Sequence, residues 1–123
     1  MLITQIEIAH LRIPLIRPFI TALRRTEHVE DIVVIIKTAS GVLGYGAAAS
    51  TPVITGDSQE SIIGALKIIA AKLIGKTTVD FEELLLTIQN SVVNNPSAKA
   101  ALDIALHDLV AKSMHQPLYK FLG

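Results

Sequence analysis

The sequence predicts an α+β fold in which a three-stranded antiparallel meander is followed by a bundle of three helices. Strand-type alternation occupies the first third of the chain, a glycine turn separates two apolar runs there, and helical periodicity occupies the remainder. The 123 residues suffice for one domain with a sizeable core. Residues 1–123 are therefore predicted to form a single domain.

The first strand is predicted from alternating residues near the N-terminus. Ile6 and Ile8 alternate with polar neighbours, and the apolar positions change phase near residues 9–10. A slip of one residue predicts a bulge or a strong twist. Pro14 and Pro18 cannot donate to a ladder, so they are expected to end the pairing.

The second and third strands are predicted on either side of a turn at Gly41. The β-branched run 32–36 is too continuous for a half-exposed strand, so we expect both of its faces to be covered. Residues 42–47 return as the third strand. Gly44 and Gly46 lie in a hairpin rather than before a helix, which favours close packing over phosphate binding.

Two segments fit neither a strand nor a helix pattern. Residues 16–28 join the first two strands, and residues 48–57 join the third strand to the first helix. Long loops in compact domains are uncommon and are often functional. Both connections are expected at the same end of an antiparallel meander.

The first two helices are predicted from their end signals. Asp57 and Glu60 have the spacing of a capping box, which opens a helix near Ser58, and Gly75 closes it. Asp80 is expected to start the second helix.

The third helix is predicted to begin at Asn95, with Pro96 at its first helical position. One of its faces carries small residues and the neighbouring face carries leucines. Small side chains let another helix approach closely, so this helix is expected at the centre of the bundle. The two faces consist of Ala98, Ala101 and Ala105, and of Leu102, Leu106 and Leu109.

The composition excludes several classes of partner. Eleven basic and eleven acidic side chains cancel, so no net charge directs the chain to nucleic acid or to a membrane surface. The absence of cysteine fits a reducing cytoplasm, and neither a signal peptide nor a membrane span is predicted. Apolar residues make up 50% of the chain, which predicts an apolar face that meets a partner, with a well-packed monomer as the alternative.

The sequence predicts no catalytic or metal-binding residue. No histidine in a predicted helix has a second histidine or a glutamate at helical spacing. Asp103 and His107 would supply only two ligands. Lys99 can pair with Asp103 along the helix, and Lys112 lies four residues after Asp108 and can pair with it likewise.

Arg24 is different because it follows apolar residues in the first predicted loop. A guanidinium in a partly desolvated pocket can bind a carboxylate through two hydrogen bonds. The alternative is an ordinary solvated arginine.

The first loop, RPFITALR at residues 17–24, resembles the first loop of dipeptide epimerases in the enolase superfamily. Residues 41–46, 54–58, 97–101 and 117–123 follow in that family's order. The likeness extends over essentially the whole chain. It identifies the chain as similar to the N-terminal capping domain of the muconate-lactonizing subgroup, which implies an enolase N-terminal domain-like fold.

The resemblance also implies a function. In that family the cap covers the mouth of a (β/α)₈ barrel, which carries the proton-transfer lysines and the Mg²⁺ ligands and would lie outside these 123 residues. The chain would then set specificity for a small anionic substrate in a Mg²⁺-dependent isomerase, an Ala-Glu-type dipeptide epimerase, and be inactive alone. By resemblance, Arg24 binds a distal carboxylate, while Phe19, Thr21, Ile54 and Thr55 line the pocket.

Two alternatives stay open. The chain could be the cap of a muconate or chloromuconate cycloisomerase, or a free-standing dimerisation or binding module that forms a homo-oligomer through its apolar face. One departure from the family is Ala47, which stands where the family usually has a glutamate.

Overall fold

The computed structural model describes residues 1–20, 25–50 and 57–123, with the backbone alone at residues 15, 18, 19 and 25–29. Three strands are followed by helices, which confirms the predicted α+β class. A fourth, short helix after the predicted three was not expected. The elements are β1 (Ile3–Ile20), β2 (Arg25–Thr38), β3 (Leu43–Ala49), α1 (Gln59–Leu73), a 3₁₀ turn (Thr78–Asp80), α2 (Phe81–Asn90), α3 (Pro96–Ser113) and α4 (Leu118–Leu122). Within the described ranges, no helix has the length and apolar character needed to cross a membrane.

The sheet is an antiparallel meander with the strand order β1-β2-β3. The pairing of β1 with β2 keeps one register from Gln5 opposite Lys37 to Pro14 opposite His28. The pairing therefore contains no bulge near residues 9–10, and the other predicted possibility, a strong twist, stays a prediction. The apolar positions change phase because the apolar side chains before and after residues 9–10 lie on opposite faces of the strand.

The first strand continues past both of its prolines. β1 extends to Ile20 and β2 begins at Arg25, so the loop expected over residues 16–28 is wrong for most of its length. A register shift lies between Pro14 and Phe19. β1 is an edge strand. A proline whose nitrogen faces the open edge of the sheet removes no hydrogen bond between strands.

The two faces of the sheet are buried to different extents. On the inner face, which packs on the helices, Ile32, Val34 and Ile36 are at most 1% exposed. On the outer face, Val33 and Ile35 are half-buried. The expectation that both faces of this run are covered therefore holds for one face only.

The core lies between the inner face and the helices. Burial of aliphatic side chains here provides the main driving force for folding. Its largest fully buried side chains outside β2 are Ile3, Ile62, Leu66, Ile69, Leu73, Ile88, Leu102, Leu106 and Leu109.

The small residues of α3 pack against β3. A Cβ added at Gly46 would lie 2.0 Å from the Ala101 carbonyl oxygen, and one at Gly44 would lie 2.3 Å from the Ala105 carbonyl oxygen. The prediction that these alanines admit another helix is therefore wrong, since they admit a strand with glycine at the two facing positions. α3 still contacts each of the other helices, which agrees with its predicted place at the centre of the bundle. The predicted close-packing role of the two glycines is confirmed.

α3 also binds the free edge of β3. The Asp108 carboxylate accepts a hydrogen bond from the Tyr45 backbone N–H at 2.9 Å. Lys112 Nζ donates to the Leu43 carbonyl at 2.9 Å and lies 2.9 Å from the Asp108 carboxylate, which confirms the predicted helical ion pair. Unpaired backbone groups of this edge are thereby satisfied.

The helix ends follow the predicted signals with small shifts. Ser58 caps α1 in a capping box with Ser61, one residue later than the box predicted from Asp57. Gly75 follows the end of α1 with φ +87°, a conformation that glycine adopts without strain. Asp80 precedes α2 as expected.

Aromatic contacts join the last three helices. The rings of Phe81 and His107 are 5.1 Å apart and those of Phe81 and Phe121 are 5.9 Å apart, in edge-to-face geometry. His107 Nδ1 also lies 3.0 Å from Asp103 Oδ1. These contacts hold α4 against α2 and α3.

Candidate functional site

The two predicted loops leave the sheet at the same end. Because β2 is antiparallel to both neighbours, the end of β1, the start of β2 and the end of β3 lie at the same end of the sheet. Ala49 lies opposite Asp31, so residues 25–30 extend with β1 beyond the last pair of β3. Six strand residues span about 20 Å, so the first connection begins farther along the sheet than the second.

Four of the five residues predicted to bind substrate belong to these connections, and one lies in a strand. Phe19 lies in β1, but its side chain lies outside the described part of the chain. The other four also lie outside it, so their assignment stays a prediction. They are Thr21, Arg24, Ile54 and Thr55.

A polar network lies where β1 and β2 extend past the end of β3. Nε2 of Gln59, the first residue of α1, lies 3.1 Å from His10 Nε2 and 3.1 Å from Glu30 Oε2. An amide nitrogen only donates, so with this amide orientation the His10 nitrogen is the acceptor. Arg12 Nε lies 3.0 Å from Glu30 Oε1. Both members of this ion pair are exposed, so it orients side chains more than it stabilises the fold.

A buried carboxylate marks the base of the second connection. Asp57 directly follows residues 51–56 and is 7% exposed. Its Oδ2 accepts a hydrogen bond from the Ser97 hydroxyl at 2.7 Å and lies 3.4 Å from the Ser97 backbone nitrogen. The Ser50 hydroxyl donates to the Asp57 carbonyl at 3.4 Å. The residues before and after this connection therefore meet at the N-terminus of α3.

No local sequence pattern indicates the contact between Asp57 and Ser97, because the two residues are 40 positions apart. Asp57 was predicted to cap α1, the helix that follows it. Asn95 was predicted to cap α3, but its side chain donates to the Val93 carbonyl at 2.9 Å. A capping residue can be recognised from the sequence only when it lies next to the helix that it caps. Asp57 approaches the start of α3 only in the folded chain.

The described residues do not fit a metal site. Among the side chains that the structure describes, no group of three histidine, aspartate or glutamate residues could hold an ion. His107 and Asp103 supply two groups, and His107 packs among aromatic rings of the helices. The described part of this end offers no ligand set for Mg²⁺.

Ala47 lies on the outer face of β3, where it is exposed and opposite Val33. Its neighbours Gly46 and Ala48 point to the inner face and are buried. The family's glutamate at this position would therefore lie outside the core. Its replacement by alanine leaves the packing of β3 on α3 unaffected.

Relatives of known activity match the chain along its whole length. It is 48% identical to the L-Ala-D/L-Glu epimerase of Clostridium acetobutylicum, over 100% of this chain and 35% of that protein. The structure of a substrate-liganded complex of the L-Ala-D/L-Glu epimerase from Bacillus subtilis superimposes with a TM-score of 0.96 at 42% identity, over 100% of this chain and 34% of that one.

The dipeptide epimerase from Cytophaga hutchinsonii, complexed with Mg and the dipeptide D-Ala-L-Val, superimposes with a TM-score of 0.92 at 35% identity. The match covers 100% of this chain and 33% of that one. The chain thus spans about a third of the length of these relatives. The profile of the family "Mandelate racemase / muconate lactonizing enzyme, N-terminal domain" matches residues 3–123. The chain therefore belongs to this family of enolase-superfamily N-terminal domains.

Proposed function

We propose that this chain is the substrate-capping, specificity-setting domain of a cytoplasmic dipeptide epimerase that acts on Ala-Glu-type dipeptides. The observation that carries the proposal is the 48% identity to an L-Ala-D/L-Glu epimerase along the entire chain. The location of both connections at one end of the sheet supports it, because segments that leave the same end can act on one ligand.

Specificity is assigned to the two connections. The Arg24 guanidinium binds the distal carboxylate of the dipeptide, since a fork of N–H donors matches the geometry of a carboxylate. Phe19, Thr21, Ile54 and Thr55 surround the rest of the side chain. Apolar walls beside one cation exclude water and strengthen the charge–charge contact.

Proton transfer is assigned to the (β/α)₈ barrel of the intact enzyme, the proposed partner of this domain. The C. hutchinsonii relative was crystallised with Mg and a dipeptide, which supports a Mg²⁺ requirement. When bound in the barrel, Mg²⁺ supplies electrostatic stabilisation of charge that develops on the substrate carboxylate. This chain contributes binding, orientation and exclusion of water, and it is inactive alone.

A chimera tests the proposal. Residues 1–123 replace the matching N-terminal third of the C. acetobutylicum epimerase, and exchange of the substrate α-proton is followed by NMR in D₂O with Mg²⁺. We expect exchange on L-Ala-L-Glu by the chimera and none by the 123-residue chain alone. Exchange by the isolated chain would contradict the proposal. Activity of the chimera on muconate and not on dipeptides would favour the cap of a cycloisomerase.

The role of Arg24 is tested in the same chimera. Arg24→Ala is expected to lower kcat/KM for L-Ala-L-Glu about 100-fold, because a hydrogen-bonded charge pair is lost. The value for L-Ala-L-Ala should change little. Arg17→Ala removes an exposed arginine from β1 and serves as the matched control. An unchanged preference of Arg24→Ala for acidic dipeptides would remove this residue from the site.

A further inference from the structure

We propose that the groove between α2 and α3 binds an α-amino acid with an apolar side chain, whose carboxylate is held by Lys99 and whose ammonium group is held by Asp103. The groove has a volume of about 630 Å³, within the range of small-molecule sites. It is lined by the end of α2, the segment before α3 and the first half of α3. All of these residues lie in the described part of the chain, and the inference does not depend on the function proposed above.

Lys99 brings a positive charge to the groove that no described residue neutralises. The sequence predicts that Lys99 pairs with Asp103, four residues later on α3, but Asp103 Oδ1 lies 3.0 Å from His107 Nδ1 instead. Lys99 is half-buried, and its ammonium group has neither an ion pair nor a hydrogen bond with the described part of the chain. A partly desolvated cation is stabilised by an anion that donates no proton of its own. The groove therefore favours a carboxylate beside Lys99.

Asp103 offers an acceptor for a cation in the same groove. His107 contacts its Oδ1, while its Oδ2 accepts no hydrogen bond from any residue that the structure describes. Side chains four residues apart lie on one face of a helix, with about 6 Å between their Cβ atoms. An α-amino acid carries its ammonium and carboxylate groups on one carbon atom, so it can reach both side chains at once. A dianion such as phosphate is disfavoured, because Asp103 would repel it.

The rest of the groove supplies amides and apolar surface. The Gln89 and Asn94 side chains form no hydrogen bond within the described ranges, so their donors and acceptors are available to a ligand. Asn94 has φ 57°, a left-handed conformation that is costly outside glycine and that is often found at binding sites. Ile104 is 46% exposed and provides contact for an apolar side chain of the ligand.

An NMR titration of the 123-residue chain with L-valine tests the proposal. We expect saturable shifts of the backbone amides around Lys99 and Asp103. Isovalerate has the same carbon skeleton and carboxylate but no ammonium group, so it should bind about tenfold more weakly once the contact with Asp103 is lost. The absence of saturable shifts with L-valine, or an equal affinity for the two ligands, would overturn the proposal.

Substitutions in the groove assign the contacts. Lys99→Gln should weaken L-valine binding about tenfold, because the charged partner of the carboxylate is lost. Lys67→Gln removes an exposed lysine of α1 and is the matched control, which should bind like the unsubstituted chain. Asp103→Asn should lower the affinity for L-valine to that for isovalerate.

Asn94→Gly separates ligand contact from folding, because glycine keeps the left-handed backbone and removes only the amide. It should weaken L-valine binding about threefold without loss of stability. If Lys99→Gln binds L-valine as tightly as Lys67→Gln does, the groove is not the site.

Discussion

The inner and outer faces of the sheet contain similar kinds of residue but have different environments. Ile36 on the inner face is fully buried, whereas Leu11 and Ile13 on the outer face are 40% and 48% exposed. The faces differ most in β3, where glycine on the inner side lets the backbone of α3 approach. Apolar composition therefore predicts that a segment is a strand. The glycines of β3, which let α3 approach, determine which face of the sheet is buried in the core.

The largest effect is expected from Gly46→Ala. Its Cβ would lie 2.0 Å from the Ala101 carbonyl oxygen, a backbone atom that can move only with the helix. We expect a loss of more than about 4 kcal/mol in the free energy of unfolding, measured by urea denaturation. Gly64→Ala is the control, because its Cβ would meet no atom within 4 Å. That helical substitution should stabilise by up to about 1 kcal/mol.

If Gly46→Ala unfolds at the same urea concentration as the unsubstituted chain, the close approach of α3 to β3 is not a constraint on the fold. The inner face would then tolerate side chains on β3, and its difference from the outer face would lie only in burial.

A smaller effect is expected when two neighbouring residues of β2 are truncated. Ile36→Ala removes a fully buried side chain and should cost about 3 kcal/mol. Ile35→Ala, on the half-buried outer face, should cost about 1 kcal/mol. Thermal or urea unfolding of both variants gives the difference directly. Equal losses would mean that another surface covers the outer face in solution, for instance that of a second copy of the chain.

The smallest effect is expected for the polar contact between α3 and the edge of β3. Asp108→Ala leaves the Tyr45 N–H to water and removes the Lys112 ion pair, which should cost about 1 kcal/mol. Glu7→Ala breaks an exposed ion pair of 2.8 Å with Lys37 and should cost less than about 0.5 kcal/mol. A loss for Asp108→Ala no greater than that for Glu7→Ala would contradict a role for this edge contact in stability.

The fold was predictable where local signals agree with the tertiary environment. The turn at Gly41, the end of α1 at Gly75 and the start of α3 after Asn95 all lie where the sequence predicts them. The prediction that Pro14 ends the strand pairing is wrong. A missing N–H matters only where a neighbouring strand would accept its hydrogen bond, and β1 is at the edge of the sheet.

The candidate site was less predictable because its described contacts join distant segments. Ser97 lies beside Asp57, and Gln59 lies beside His10 and Glu30, only in the folded chain. A local pattern cannot reveal such partners. The substrate residues rest on family resemblance, since a loop arginine such as Arg24 has the same sequence appearance whether it binds a ligand or water.

The contact between β3 and α3 also has a consequence for the order of folding. Gly44 and Gly46 give β3 little apolar surface of its own, and Tyr45 donates to a residue 63 positions later. During synthesis the third strand emerges well before the helix that secures it. Contacts of such long sequence separation slow folding. We therefore expect the nascent sheet to acquire stable hydrogen-exchange protection only after Asp108 has left the ribosome.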